Sequence, residues 1–177
     1  MIRSPLQIPN FRRFWLGQTL LSCAEQFWLI ALTWLVLQKT GSGLMLGIVL
    51  MAGAIPQVLF TLVGGAISDR TSPSRIVKLF AIVDTILAAI ITVLLAFDAV
   101  QISFLIVLSV IAGLGDAFFA PALLAMPPRL VNKSLLGKAN AWFESGEQIT
   151  EIIGPALAGI AIGILGLAIT FAIGSAL

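Results

Sequence analysis

Gly64-Gly65-Ala66-Ile67-Ser68-Asp69-Arg70-Thr71-Ser72-Pro73-Ser74-Arg75 is a short charged hinge between two long, mostly apolar runs. Leu44 to Ile67 precedes it and Val77 to Phe97 follows it. Apolar runs of about 18 residues or more mark helices that cross a membrane. An acid and a base side by side at the end of such a run, with a turn and further base behind, belong at a membrane surface.

The rest of the composition agrees. Of 177 residues, 59% are hydrophobic and 10% charged, and the mean hydropathy is +1.10. A soluble domain of this length needs far more charge to cover its surface. The charges also collect in clusters between the apolar runs, the pattern of a polytopic membrane protein. The single cysteine, Cys23, lies in the first run and reads as a small apolar side chain. With no histidine and no Cys/His cluster, neither a metal site nor a cofactor is expected. No cleavage site follows the first run, so no signal peptide is read. Without a nucleophile constellation or a phosphate-binding glycine loop, an enzyme is not expected, and nothing points to nucleic acid.

A hydrocarbon core takes about 20 helical residues to cross, which divides the chain into six segments. They run from about Phe14 to Leu37, Leu44 to Ile67, Ile76 to Phe97, Ile102 to Met126, Gly137 to Gly163, and Gly166 to Leu177. Pro127-Pro128 is expected to stop the fourth. The sixth is too short to cross at about 1.5 Å per residue, so the expectation is a fragment cut inside its sixth helix.

Orientation follows from the bases. With odd segments running outward, Arg3, Arg12, Arg13, Arg70, Arg75, Lys78, Arg129, Lys133 and Lys138 fall inside, and Lys39 alone outside. Basic residues favour the cytoplasmic side, which places the N-terminus and the hinge there. Some tryptophans (Trp15, Trp28, Trp34, Trp142) sit toward segment ends.

An internal echo connects the halves of the chain. Ala24-Glu25-Gln26-Phe27-Trp28 and Gly115-Asp116-Ala117-Phe118-Phe119 are both small, acid, any, aromatic, aromatic. Pro56 to Gly64 and Pro155 to Gly163 repeat a proline followed eight residues later by glycine. Segments one to three thus echo four to six, and an odd period makes such a repeat inverted, as in many secondary transporters.

The polar residues inside the runs are the candidate site. Gln18, Ser22 and Glu25 share one face of the first segment, and Ser109, Gly113 and Asp116 one face of the fourth. Glu144, Glu147, Gln148 and Glu151 form an acidic stripe on the fifth, continuing to Pro155. An apolar medium disfavours a charged carboxylate, the property a proton carrier exploits. Glu25, Asp116, Glu147 and Glu151 are therefore the proton-coupling candidates. Glu144, near the surface, and Asp84 of the third segment read as paired or solvated acids. Gly146, Gly154 and Gly159 suit close helix approach, and Pro155 loosens the helix beside them.

These residues together resemble the major facilitator superfamily over essentially the whole chain. Gly65, Asp69, Arg70 and Arg75 are similar to its signature between helices two and three, although Ser72 and Pro73-Ser74 depart from the usual glycine and bases. Gly146, Gly154, Pro155 and Gly159 resemble the antiporter signature of helix five, while Ser109 stands where helix four of that family carries arginine. Asn10-Phe11-Arg12-Arg13-Phe14-Trp15 and Gly146-Glu147-Gln148 resemble the drug-antiporter branch that contains macrolide-efflux and siderophore-exporter-like proteins. The resemblance implies an all-α transmembrane fold of twelve helices in two halves, this chain being the N-terminal half. It implies that Gly65, Asp69, Arg70 and Arg75 act as a conformational latch.

The expected function is proton-coupled efflux of an amphipathic small molecule by alternating access. Gln18, Glu25, Trp28, Gln57 and Gln148 are expected to line the cavity, and lipid, protons, the substrate and a C-terminal half are the expected partners. Uptake on the same fold, or a membrane fragment without transport of its own, are the alternatives.

Overall fold

The computed structural model describes residues 4–176; Arg3, counted among the inner bases, and Leu177, the end of the sixth segment, lie outside the described residues. Among those residues the structure is all-helical. Its long helices are α1 (Pro9–Thr40), α2 (Gly43–Arg70), α3 (Pro73–Ala96) and α4 (Ile102–Leu124). A helical turn, α5 (Pro127–Leu130), leads to α6 (Leu136–Leu165), and α7 (Leu167–Ala176) follows. Five helices are long and apolar enough to cross a membrane: α1, α2, α3, α4 and the stretch Lys133–Leu165 that contains α6.

Local chemistry sets the helix ends. Pro9 and Pro73 occupy first-turn positions of α1 and α3, where a missing N–H costs nothing. Ser42 caps α2 by accepting a hydrogen bond from the Met45 amide. Gly41 (φ 63°) ends α1 and Gly166 (φ 84°) ends α6, both in the region where a Cβ would clash. At 32 residues α1 is about 48 Å long, well beyond a hydrocarbon core of about 30 Å. Its apolar run is the middle, and its ends carry Arg12, Arg13 and Lys39. Pro127-Pro128 does not stop α4, which already ends at Leu124; Pro127 instead starts α5, again as a first-turn proline.

Glycine decides which helices pair. α2 packs along α4, α1 along α6, α3 against α4 and α7, and α1 also against α7. A Cβ on Gly113 would lie 2.0 Å from the Gly53 carbonyl oxygen, and one on Gly64 would lie 2.0 Å from that of Ala117. The α2 and α4 backbones therefore touch, which only residues without side chains permit. On α6, Gly146 makes room for Thr19 and Gly154 for Gln26, both of α1. A buried cluster including Leu35, Val49, Ile91, Leu105 and Phe171 ties α1, α2, α3, α4 and α7 together. Leu44, Val58 and Leu62 of α2 and Ile152 and Ile164 of α6 point outward, as an apolar solvent requires. Across the turn ends, Lys39 forms a 2.8 Å ion pair with Asp98, which adopts φ 48° after α3.

Candidate functional site

Five helices, α1, α2, α3, α4 and α7, line a cavity of about 380 Å³. It takes in Glu25 and Trp28 of α1, Gln57 of α2, Asp84 of α3, and Ser109 and Asp116 of α4. Gly53 and Gly113, whose contact brings α2 onto α4, lie in its wall, so the packing that sets the helix pair also shapes the site. Along α1, Glu25 and Trp28 are three residues apart and share a face. On α4, Ser109 and Asp116 are seven residues apart, two turns on one face.

The acids converge from three helices. Glu25, Asp84 and Asp116 all line this one cavity. Glu25 is exposed to the cavity, and Asp84 and Asp116 are half-buried in its wall. Among the described residues none of the three makes a side-chain hydrogen bond or ion pair. Among the described residues the lining contains no lysine or arginine. The remainder of the wall is largely apolar: Trp28 meets Phe171 edge-on with ring centroids 5.6 Å apart, and Phe119 lies nearby in the lining.

Three of the five residues expected in the cavity, Glu25, Trp28 and Gln57, line it; Gln18 and Gln148 do not. Gln18 lies about 10 Å along α1 from Glu25, because seven residues separate them. It is buried in the contact with α6, where its amide donates to Ser22 Oγ at 3.1 Å and to Glu147 Oε1 at 3.4 Å. Glu147 thus belongs to a separate polar contact between α1 and α6. Gln148 falls about 200° around the helix from Gly146, which faces α1, and is exposed together with Glu144 and Glu151. Of the helix-five glycines, Gly146 and Gly154 face α1, whereas a Cβ on Gly159 would meet nothing within 4 Å. Pro155 is half-buried beside Gly154.

At the hinge, Asp69, Arg70 and Arg75 are exposed, and among the described residues their side chains make no hydrogen bond or ion pair. Gly65 is half-buried, with Pro121 Cβ at 4.0 Å from an added Cβ.

Asp84 is the acid whose place the sequence reading leaves open. It reads from sequence as a paired or solvated acid, and the structure puts it on the cavity wall, without a cationic partner among the described residues. A signal was present: Asp84 is the sole ionisable residue between Lys78 and the end of α3, at the middle of a helix of 24 residues. An acid so placed cannot reach either surface by extending its short side chain.

A model of the family described as transmembrane secretion effector matches residues 2–177. The multidrug efflux pump Tap of Mycolicibacterium fortuitum is 35% identical over 147 residues, covering 78% of this chain and 35% of that protein. Macrolide efflux protein A of Streptococcus pyogenes is 24% identical over 85% of this chain and 37% of its own length. The staphyloferrin A transporter of Staphylococcus aureus is 28% identical over 89% of this chain and 37% of its own. The chain spans little more than a third of these relatives. No solved structure matches it.

Proposed function

We propose a transport mechanism from one premise: this chain belongs to the transmembrane secretion effector family of the major facilitator superfamily, a family of multi-pass membrane transporters rather than enzymes. The reading is proton-coupled efflux of an amphipathic small molecule by alternating access. The observation that carries it is the largely apolar cavity on which Glu25, Asp84 and Asp116 converge between membrane-length helices. Acids kept in such a place without a basic partner are suited to bind and release protons as access alternates. The names of the relatives, a multidrug pump, a macrolide efflux protein and a siderophore transporter, support export of amphipathic cargo.

Glu25 and Asp116 are the first coupling candidates, because both open on the cavity. Glu147 is a second locus, joined to α1 through Gln18. Its protonation would remove the charge from the group that accepts from the Gln18 amide and add an O–H donor beside the remaining acceptor oxygen, and so bear on the α1–α6 contact. Glu151 and Gln148 face away from the bundle, as does Glu144 nearer the surface, and polar groups at the depth of Glu151 and Gln148 call for protein or a wet cleft rather than lipid. A second bundle of helices, the C-terminal half, is the partner that fits. Exposed Asp69, Arg70 and Arg75 would latch against that half with the N-terminus and hinge cytoplasmic.

An inverted three-plus-three repeat accounts for the packing. Exchanging α1, α2, α3 with α4, α6, α7 turns the α2–α4 contact into the α6–α1 contact, and α3–α4 into α7–α1. It also carries Glu25 onto Asp116, the two acids that the echoed sequences share.

Reconstitution of the full-length protein in proteoliposomes tests the reading. Cargo movement should follow an imposed pH gradient and collapse with a protonophore. Transport indifferent to the gradient would refute the coupling.

A further inference from the structure

We propose that Gln26 is a positioning residue that couples occupancy of the cavity to flexure of α6 at Gly154-Pro155. This rests on the reading of the cavity as the cargo site and adds the device by which a bound molecule acts on a helix it does not touch.

The first observation is a helix missing from the wall. Among the described residues the lining draws on α1, α2, α3, α4 and α7, and no residue of α6 belongs to it. Yet α6 packs along α1. A molecule in the cavity therefore reaches α6 only through an intermediate side chain, and α1 is a helix that meets both.

Gln26 of α1 makes both contacts. It is half-buried and lines the cavity. A Cβ on Gly154 would lie 2.6 Å from Gln26 Cβ and 2.6 Å from its Cγ, closer than unbonded carbons come, so the Gln26 stem fills the notch that this glycine leaves in α6. The amide carbon stands farther off, 3.9 Å from the same point. A glutamine amide carries two N–H donors and a carbonyl acceptor, and among the described residues this one makes no hydrogen bond. The head is thus open to a molecule in the cavity while the stem is wedged against α6.

The second observation concerns α6 at the point of contact. Pro155 lies inside the helix, directly after Gly154. It has no N–H, so the carbonyl of Glu151 lacks its partner one turn on, and helices bend where a proline has removed such a bond. On either side α6 is held to α1. Toward its start, Trp15 Nε1 donates to the Trp142 carbonyl at 2.8 Å; toward its end, Ala158 and Ala161 pack in one cluster with Phe27. The Gln26 stem presses between these two fixed contacts, where α6 resists bending least. A glycine has no side chain to rotate aside, so a shift of the stem is taken up by the α6 backbone.

Filling the cavity covalently tests the coupling. In full-length protein cleared of its own cysteines, Cys23→Ala among them, Gln57→Cys in the lining is modified with benzyl methanethiosulfonate, and hydrogen exchange of the α6 amides around Pro155 is followed by mass spectrometry in detergent. The adduct should raise their exchange about threefold or more, the sign of easier local opening. Gln26→Ala, which loses the stem, should abolish that response. Gln26→Met, which keeps an unbranched stem of the same length, should retain it. A packing role alone would alter exchange in the unmodified Gln26→Ala protein and leave the response to the adduct intact. If Gln57→Cys does not fold by gel filtration, Thr85→Cys on the α3 wall carries the adduct instead. Exchange that ignores the adduct would overturn the inference, as would a full response in Gln26→Ala. The outcomes separate from those of the cargo-site reading: adduct-bearing protein that still transports erythromycin in proteoliposomes defeats that reading alone, and blocked transport with unaltered α6 exchange defeats the coupling alone.

Discussion

Gly113 and Gly159 are the same residue in helices of the same kind, with opposite tolerance. A Cβ on Gly113 would strike the Gly53 carbonyl at 2.0 Å, and backbone cannot rotate aside as a side chain can. Gly113→Ala should force α2 from α4 and destabilise by about 3 kcal/mol. Around Gly159 nothing lies within 4 Å, so Gly159→Ala should be neutral or stabilising by about 0.5–1 kcal/mol through helix propensity. Thermal unfolding of both variants in one detergent checks the contrast. A second residue-scale expectation concerns Asp98. The hydrogen bond from Lys39, then its charge, holds the Asp98 carboxyl below the usual carboxylate range. A depressed carboxyl contributes stability above its ordinary pKa of about 3.9, and that contribution is lost as pH falls through the lower folded value. The difference in melting temperature between the parent and Asp98→Asn should therefore be flat from pH 5 to 8, vanish only in stronger acid, and shrink in high salt. Sequence spacing identified Glu25 and Asp116 on their faces. It could not rank Asp84, because a lone acid has no periodic neighbours to give its face.

At the scale of the element, the hinge and α6 differ in how much of their role their own sequence reveals. The hinge pairs Asp69 with Arg70 at the end of an apolar helix, and both remain exposed and unpaired among the described residues. Asp69→Asn should slow turnover several-fold in full-length protein and leave substrate affinity intact, read as a fall in maximal rate at constant KM. A matching rise in KM would assign Asp69 to binding instead. Along α6, Glu144, Glu147, Gln148 and Glu151 share one stripe by periodicity, yet among the described residues Glu147 is the one of them with a hydrogen bond to α1. The buried side of α6 is drawn by Gly146, Thr150, Gly154 and Ala158, and the acids lie off it to varying angles. Gln18 shows the complementary point on α1: sharing a face with Glu25 places it in the same stripe, and the length of the helix carries it out of the cavity.

At the scale of the molecule, topology is open to a direct measurement. With Cys23→Ala as background, Ser42→Cys should react with an impermeant maleimide from outside intact cells. Ser72→Cys should react only after permeabilisation. Reversed accessibility would invert the proposed orientation. The membrane class, the helix-forming runs and the family likeness are legible in the sequence because each depends on local quantities. Desolvating a segment is a cost summed residue by residue, and basic flanks and first-turn prolines act within a turn of where they stand. Which acids share a cavity is not a local quantity. It depends on the face each helix turns to its neighbour, and that is decided where Gly53 meets Gly113 and Gly64 meets Ala117, through backbone contacts between residues more than fifty positions apart. The sequence by itself determined a polytopic helical membrane protein with acids at mid-helix. Only the tertiary structure brought Asp84 beside Glu25 and Asp116 and sent Gln18 and Gln148 elsewhere, because close packing at glycine selects one rotation of each helix out of many that hydropathy alone would allow.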